Sequence, residues 1–321
     1  MQLDRRAFLG LLSATATLAA TPLRADTSQI SIVATTSMIA DAARQIGGDL
    51  VNVRALMGVG VDPHSYRQTR SDIVALTRAD LVLWHGLYLE AQMEEFLLRL
   101  TQRNNVVAVG EVVPGNQLIS HTSYEGRYDP HVWMAPELWT YVVKAVARVL
   151  SGAAPDHASI FATNAKAHLA DVRRLDAYAR AKMATIPQTE RVLLTAHDAF
   201  GYFGRAYDVE VIGIQGISTE SEAGLNRISA LVNLLTERNI RSVFIESSVS
   251  DRNIRALIEG AAAQGHEMAI GGELYSDAMG PEGSYEGTYI GMLDHNITTI
   301  ARALGGDVPD RGMDGKLLAG S

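Results

Sequence analysis

Short apolar runs rich in Val, Ile and Leu alternate along this chain with stretches in which apolar side chains return every three or four positions. A brief continuous or alternating run reads as a strand, and a three-to-four spacing as the buried stripe of a helix. In the first half this predicts strands over 30–34, 51–56, 81–84 and 106–109. It predicts helices over 38–46, 71–77, 89–100 and 136–150, the last opened by Pro136 in a first-turn position. Between 110 and 128 the pattern loosens. A second half repeats the rhythm, with strands over 192–195, 209–214, 242–245 and 267–270 and helices over 200–206, 224–238, 251–264 and 285–304. Strands alternating with helices imply mostly parallel sheets covered by helices. The tail from 305 onward is predicted to fray.

Residues 156–184 break the rhythm, being alanine-rich, densely charged and free of Gly and Pro. A single helix of that length reaches about 40 Å at 1.5 Å per residue, enough to run along a pair of lobes and join them. The predicted fold class is therefore α/β: two lobes, each with a mostly parallel sheet flanked by helices, joined by one long α-helix. The boundaries fall at 26–153 for the N-terminal lobe, 154–187 for the linking helix and 188–321 for the C-terminal lobe. Residues 1–25 stand apart as an export signal peptide: Arg5 and Arg6 precede an apolar, small-residue stretch, and Leu23-Arg24-Ala25 has the form of a cleavage site. Ser13, Thr15, Thr17, Thr21 and Pro22 dilute that stretch below the roughly 20 strongly apolar residues of a membrane span. Arg5 and Arg6 followed by Ala7, Phe8 and Leu9 resemble a twin-arginine signal, an ordinary secretory signal being the alternative.

Charge narrows the partners. Without residues 1–25 the chain loses Asp4, Arg5, Arg6 and Arg24, which leaves 25 basic and 35 acidic residues and a net charge of −10. Such a surface repels phosphate backbones and anionic membranes, which argues against nucleic acid and fits a carrier of cations. The chain has no cysteine, so disulfides and thiolate ligands are both excluded, and no lipid anchor on a cysteine is expected.

Four residues carry candidate chemistry: His64, His131, His197 and Asp277. Three imidazoles and one carboxylate make a complete ligand set for one divalent transition metal, and their wide spacing suits a site closed between two lobes rather than a local finger. His64 and His131 each follow the same dipeptide, in Asp62-Pro63-His64 and Asp129-Pro130-His131. Proline stiffens the turn, and each aspartate is placed to orient a backbone amide or the ring itself. His197 follows a buried strand in Ala196-His197-Asp198, where Asp198 is the better helix cap and leaves the imidazole free. Asp277 follows the last strand in Leu274-Tyr275-Ser276-Asp277. Taken singly, each reads as an ordinary loop or cap residue; together they point to a metal.

These residues lie in a wider set of motifs: Tyr66 and Thr69 after the first Asp-Pro-His, Trp133 and Met134 after the second, then 196–203, Gly216-Ile217-Ser218-Thr219-Glu220, Phe244-Ile245-Glu246 and 274–277. The chain resembles solute-binding proteins of the zinc and manganese ABC importers over essentially all of its length beyond the signal. The resemblance implies that His64 and His131 come from the first lobe and His197 and Asp277 from the second, all four as metal ligands. It implies a monomeric periplasmic protein that passes its ion to a permease in the inner membrane with an ATPase on the far side, with no catalytic cofactor. Zinc-dedicated members often carry a long His- and acid-rich loop, where 117–128 here holds only His121 and Glu125; manganese-dedicated members usually place Glu where this chain has His197. Three imidazoles favour zinc, with manganese next and iron after it.

The rival function is a zinc metallohydrolase, which needs an open coordination position and a general base such as Asp62, Asp129 or Glu246. Four protein ligands and the absence of a His-Glu-x-x-His segment argue against it. Glu246 and Glu220 are expected to hold loops rather than metal, and His85 to be an ordinary loop histidine.

Overall fold

The computed structural model describes residues 29–102, 105–120 and 126–318. The signal segment 1–25 and the candidates His121 and Glu125 lie outside the described residues. The first lobe contains β1 (Ile30–Ala34), α1 (Ser37–Gly47), β2 (Val51–Ala55), α2 (Arg70–Arg78), β3 (Leu81–Trp84), α3 (Glu94–Leu100), β4 (Val106–Ala108) and α4 (Pro136–Ala153). Its strands form one parallel sheet in the order β2-β1-β3-β4. α5 (Ala158–Met183) follows, and then β5 (Val192–Thr195), α6 (Gly201–Tyr207), β6 (Glu210–Gly213), α7 (Leu225–Glu237), β7 (Ser242–Glu246), α8 (Arg252–Ala263), β8 (Ala269–Leu274) and α9 (Tyr289–Ala303). β5 pairs with β6 and β7 with β8, both parallel, and β5 lies beside β7. The second lobe thus reproduces the strand sequence of the first.

α5 is 26 residues long, about 39 Å at 1.5 Å per residue. Its buried side chains Phe161, Ala165, Leu169, Val172, Leu175, Ala179 and Met183 recur at mostly three- and four-residue steps, the stripe of an amphipathic helix. That stripe packs on α1 and α4 of the first lobe and on α6 and α9 of the second. One apolar cluster consequently runs from Ile32 and Leu83 through α5 to Phe244, Tyr289 and Ile300. Smaller clusters cover the outer faces, under α2 and α3 in the first lobe and under α7 and α8 in the second. The two lobes share a core as well as a linking helix.

Three departures from the sequence reading have physical causes. The helix expected over 89–100 begins only at Glu94, because Leu87 and Tyr88 are left-handed (φ 54° and 66°) and the turn wraps a buried carboxylate, Glu90. The last strand does not stop at Ile270 but runs to Leu274 through Gly271 and Gly272. α9 lies so close to β8 that a Cβ on Gly272 would sit 2.3 Å from the Thr299 methyl, so glycine here permits packing rather than ending the strand. The tail packs against the body over its described residues: Leu317 is buried, Asp294 accepts the Met313 amide, and Arg174 pairs with Asp314.

Candidate metal centre

All four candidates lie on the connections that leave the carboxyl ends of strands. His64 follows β2, His131 follows β4, His197 follows β5 and Asp277 follows β8, so every donor sits outside the carboxyl edge of a parallel sheet, the usual place for a ligand in open α/β folds. The four side chains meet between the lobes, their donor atoms within 4.8 Å of one another. Each residue is at most 2 % exposed. His64 Nε2 is 3.3 Å from His131 Nε2. Asp277 faces all three rings, with Oδ1 3.4 Å from His131 Nε2 and Oδ2 3.2 Å from His197 Nε2 and 3.8 Å from His64 Nε2. His197 Nε2 and both Asp277 oxygens are buried without a hydrogen-bond partner. Leaving such groups unpaired costs about 1–3 kcal/mol each, more when charged, and their convergence on one point is what a bound cation would offset.

Two of the rings are fixed from behind. The His131 Nδ1–H and backbone N–H both donate to Asp129 Oδ1, at 2.7 and 2.9 Å. His197 repeats the device with Glu246, its Nδ1–H donating to Oε2 at 2.6 Å and its backbone N–H to Oε1 at 2.9 Å. A carboxylate on Nδ1 sets the tautomer and turns the Nε2 lone pair inward, where a metal needs it. His64 is held through its backbone instead: Asp62 accepts its amide at 2.9 Å, the Ser65 hydroxyl at 2.8 Å and, from the second lobe, the Thr219 hydroxyl at 2.5 Å. Tyr66 and Thr69 pin the far end of that loop by donating to Asp72 at the start of α2. Across the cleft, the Trp133 indole N–H donates to the Ser276 carbonyl at 2.8 Å, and the Tyr202 hydroxyl to the Asp129 carbonyl at 2.7 Å.

The electrostatics follow from these partners. Burial pushes the His64 imidazole down to about 3 against the attraction of Asp277. Burial also opposes charge on His131, but Asp129 and Asp277 outweigh it and raise the ring to about 9. His197 is likewise driven well above its ordinary value, burial being overcome by Glu246 and Asp277. Asp277, though fully buried, is held well below the usual carboxylate range by His197 and His131. Without metal the site therefore favours protons on His131 and His197, facing the Asp277 carboxylate, and a neutral His64.

The four residues that meet here are the four the sequence singles out. The aspartates of both Asp-Pro-His motifs stand with their histidines as the motif suggests, whereas Glu246, expected to hold a loop, locks the His197 ring; its place at the end of an apolar strand is the only sequence signal of that role. Asp198 does not cap α6, whose cap position is Phe200 without a side-chain bond. Glu220 contacts Gln92 across the lobes.

The family model described as "Zinc-uptake complex component A periplasmic" matches residues 32–303. The manganese-binding lipoprotein MntA of Bacillus subtilis is 50% identical over 277 residues, covering 86% of this chain and 90% of its own. The zinc-binding protein TroA of Treponema pallidum is 46% identical over 273 residues, covering 85% of this chain and 88% of its own. A solved structure of the T. pallidum periplasmic zinc-binding protein TroA superposes with a TM-score of 0.84 over 86% of this chain and 99% of that one. With the parallel sheets, the long joining helix and a buried three-histidine, one-aspartate cluster between the lobes, this match places the chain in the zinc-uptake component A family, the metal solute-binding proteins of ABC importers.

Proposed function

We propose that the protein captures a divalent transition metal in the periplasm, on His64, His131, His197 and Asp277, and delivers it to an inner-membrane ABC permease driven by its ATPase. The observation that carries this reading is the cluster of buried, mutually facing donors, three of whose atoms have no partner. Each ligand comes from a single chain, so a monomer is sufficient. The lobes are taken as 26–153 and 188–321, with 154–187 between them.

Zinc is the favoured ion and manganese the second. A site of three nitrogens and one carboxylate follows the affinity order in which manganese is weakest, so zinc binds more tightly at equal concentration and supply decides what is carried. The two relatives named above bear one metal each in their names, manganese and zinc. Hydrolysis is not part of the proposal: the carboxylates that would serve as a base, Asp129 and Glu246, are committed to imidazole N–H groups, and Asp62 to a backbone amide and two hydroxyls. Export by the twin-arginine route without a lipid anchor completes the reading. Some relatives are named lipoproteins, whereas this sequence contains no cysteine. Among the described residues no helix is long and apolar enough to cross a membrane.

The test is metal analysis of protein purified without chelator, followed by competition between zinc and manganese. About one zinc per chain, lost on substituting Asp277 or His197 by Ala, is expected; protein that takes up neither ion overturns the proposal. Replacing Arg5 and Arg6 by Lys blocks export if the twin-arginine route is used, and undiminished export rejects that route.

A further inference from the structure

Glu90 is fully buried on the turn after β3 and has no cationic partner among the described residues. Its carboxylate accepts the backbone N–H groups of His85 and Gly86, at 2.7 and 3.1 Å, and the hydroxyl of Thr35 just beyond β1 at 2.6 Å. Three donors on one buried carboxylate fix the backbone of His85. The His85 imidazole, itself buried, places Nε2 2.7 Å from the carbonyl of Pro130. A carbonyl only accepts, so Nε2 carries the hydrogen; Nδ1 is left buried without a partner. The ring is shaped into its slot. It stands perpendicular to Trp133, with centroids 5.1 Å apart, and a Cβ on Gly110 would come within 2.8 Å of Nε2.

The carbonyl that His85 holds defines the conformation of the next residue, a metal ligand. Pro130 O also accepts the Val132 N–H at 2.7 Å, closing a three-residue turn around His131, whose φ of −76° and ψ of 42° lie near the inverse γ-turn. Asp129 holds the ring and the backbone N–H of His131 from within the Asp-Pro-His motif, and His85 holds the carbonyl side of the turn from another segment.

We infer that Glu90 and His85 are positioning residues for His131: the carboxylate holds His85 in place, and the His85 imidazole clamps the turn that aims His131 Nε2 at the ion. The inference rests on the proposed metal-binding function, and neither residue touches the metal.

A double-mutant cycle on zinc affinity, read by competition with a chromophoric chelator, tests it. His85→Phe, which keeps the ring volume and removes the donor, is expected to weaken zinc binding by about 10- to 100-fold, the range for partners of metal-ligating histidines. His85→Gln, which restores a donor, is expected to recover most of that loss. In a His131→Ala background His85→Phe should change affinity by less than about twofold, and in a His64→Ala background it should retain its full effect, because only the first background removes the residue it acts through. Equal losses in both backgrounds would mean a general structural role and would overturn the inference, as would an unchanged affinity in the single variant. Should His85→Phe not fold, Glu90→Gln in the same two backgrounds decides the matter by the same criterion. Absence of zinc binding by the unsubstituted protein would be a failure of the proposed function instead, visible before any variant is made.

Discussion

Changing pH alone should move metal affinity steeply through the neutral range. A histidine at its ordinary value of 6.5 is about 90% neutral at pH 7.5 and would release only about a tenth of a proton on binding a metal. His131 is raised to about 9 and His197 is raised well above 6.5, each by the carboxylate behind its ring together with Asp277. At pH 7 both rings are protonated in the metal-free site, and an incoming ion must displace both protons, whereas His64, lowered to about 3, is already neutral. The displacement from 6.5 to about 9 at His131 alone is worth about 3 kcal/mol of competition from the proton. With protons released from both rings, apparent affinity rises by up to about 100-fold per pH unit near neutrality, the His131 share flattening above about pH 9, so the fall begins far above the 6.5 of an isolated imidazole. Titration calorimetry with zinc at pH 7, in buffers of different ionisation enthalpy, counts those protons directly. Close to two per ion is expected; fewer than about half a proton would refute the assignment of charge to His131 and His197.

Four other outcomes follow from the same geometry. Glu246→Gln loosens the His197 ring and should lower zinc affinity about 10- to 100-fold with little change in the metal-free fold, measured by chelator competition and circular dichroism. The raised His131 contributes stability to the metal-free protein that is fully present below its unfolded value of 6.5 and lost as pH rises through about 9, so the metal-free Tm should fall over that window while the zinc-loaded Tm does not. Trp133→Phe strands the Ser276 carbonyl and should cost about 1–3 kcal/mol in urea unfolding; a loss below about half a kilocalorie would mean that water replaces the bond. Because the lobes share an apolar core along α5, X-ray scattering of metal-free and loaded protein should give nearly the same radius of gyration, and a large compaction on loading would contradict the shared-core account.

The alternation of runs and periodic stretches is enough to read the α/β class, the eight strands of the described residues and the long helix, because hydrophobic periodicity reports directly on which face of an element is buried. It failed where a polar group dictates the backbone. Leu89, Met93, Leu97 and Leu100 carry a helical spacing and are all buried, yet the first turn is not helical, since Glu90 is spent on the amides of His85 and Gly86. It failed again at Gly271-Gly272, where the pattern reports a missing side chain and cannot report the helix that needs the space. The four site residues were legible because two of them share a stiff Asp-Pro-His tripeptide and the others follow buried strands. The part Glu246 plays was not legible, because a carboxylate that orients a ligand 49 residues away leaves no local spacing to read.

The three histidines are not equivalent, and the difference has a chemical consequence. His131 and His197 each present a ring locked at Nδ1 by a carboxylate, one from each lobe, so each lobe carries one pre-aimed donor before any ion arrives. His64 has its backbone held by Asp62, and Asp62 is in turn tied to Thr219 of the opposite lobe. Among the described residues the His64 ring thus has no carboxylate on its Nδ1, whereas the rings of His131 and His197 are each locked by a carboxylate of their own lobe, and both Asp62 and Asp129 are tied to the opposite lobe, by Thr219 and Tyr202. Asp277, with both oxygens turned toward the rings, supplies the charge that draws the set together. A metal that completes the set meets two nitrogens already aimed by carboxylates on the rings, and a third whose ring is steered only through its loop, so His64 is the donor that must still settle on the ion.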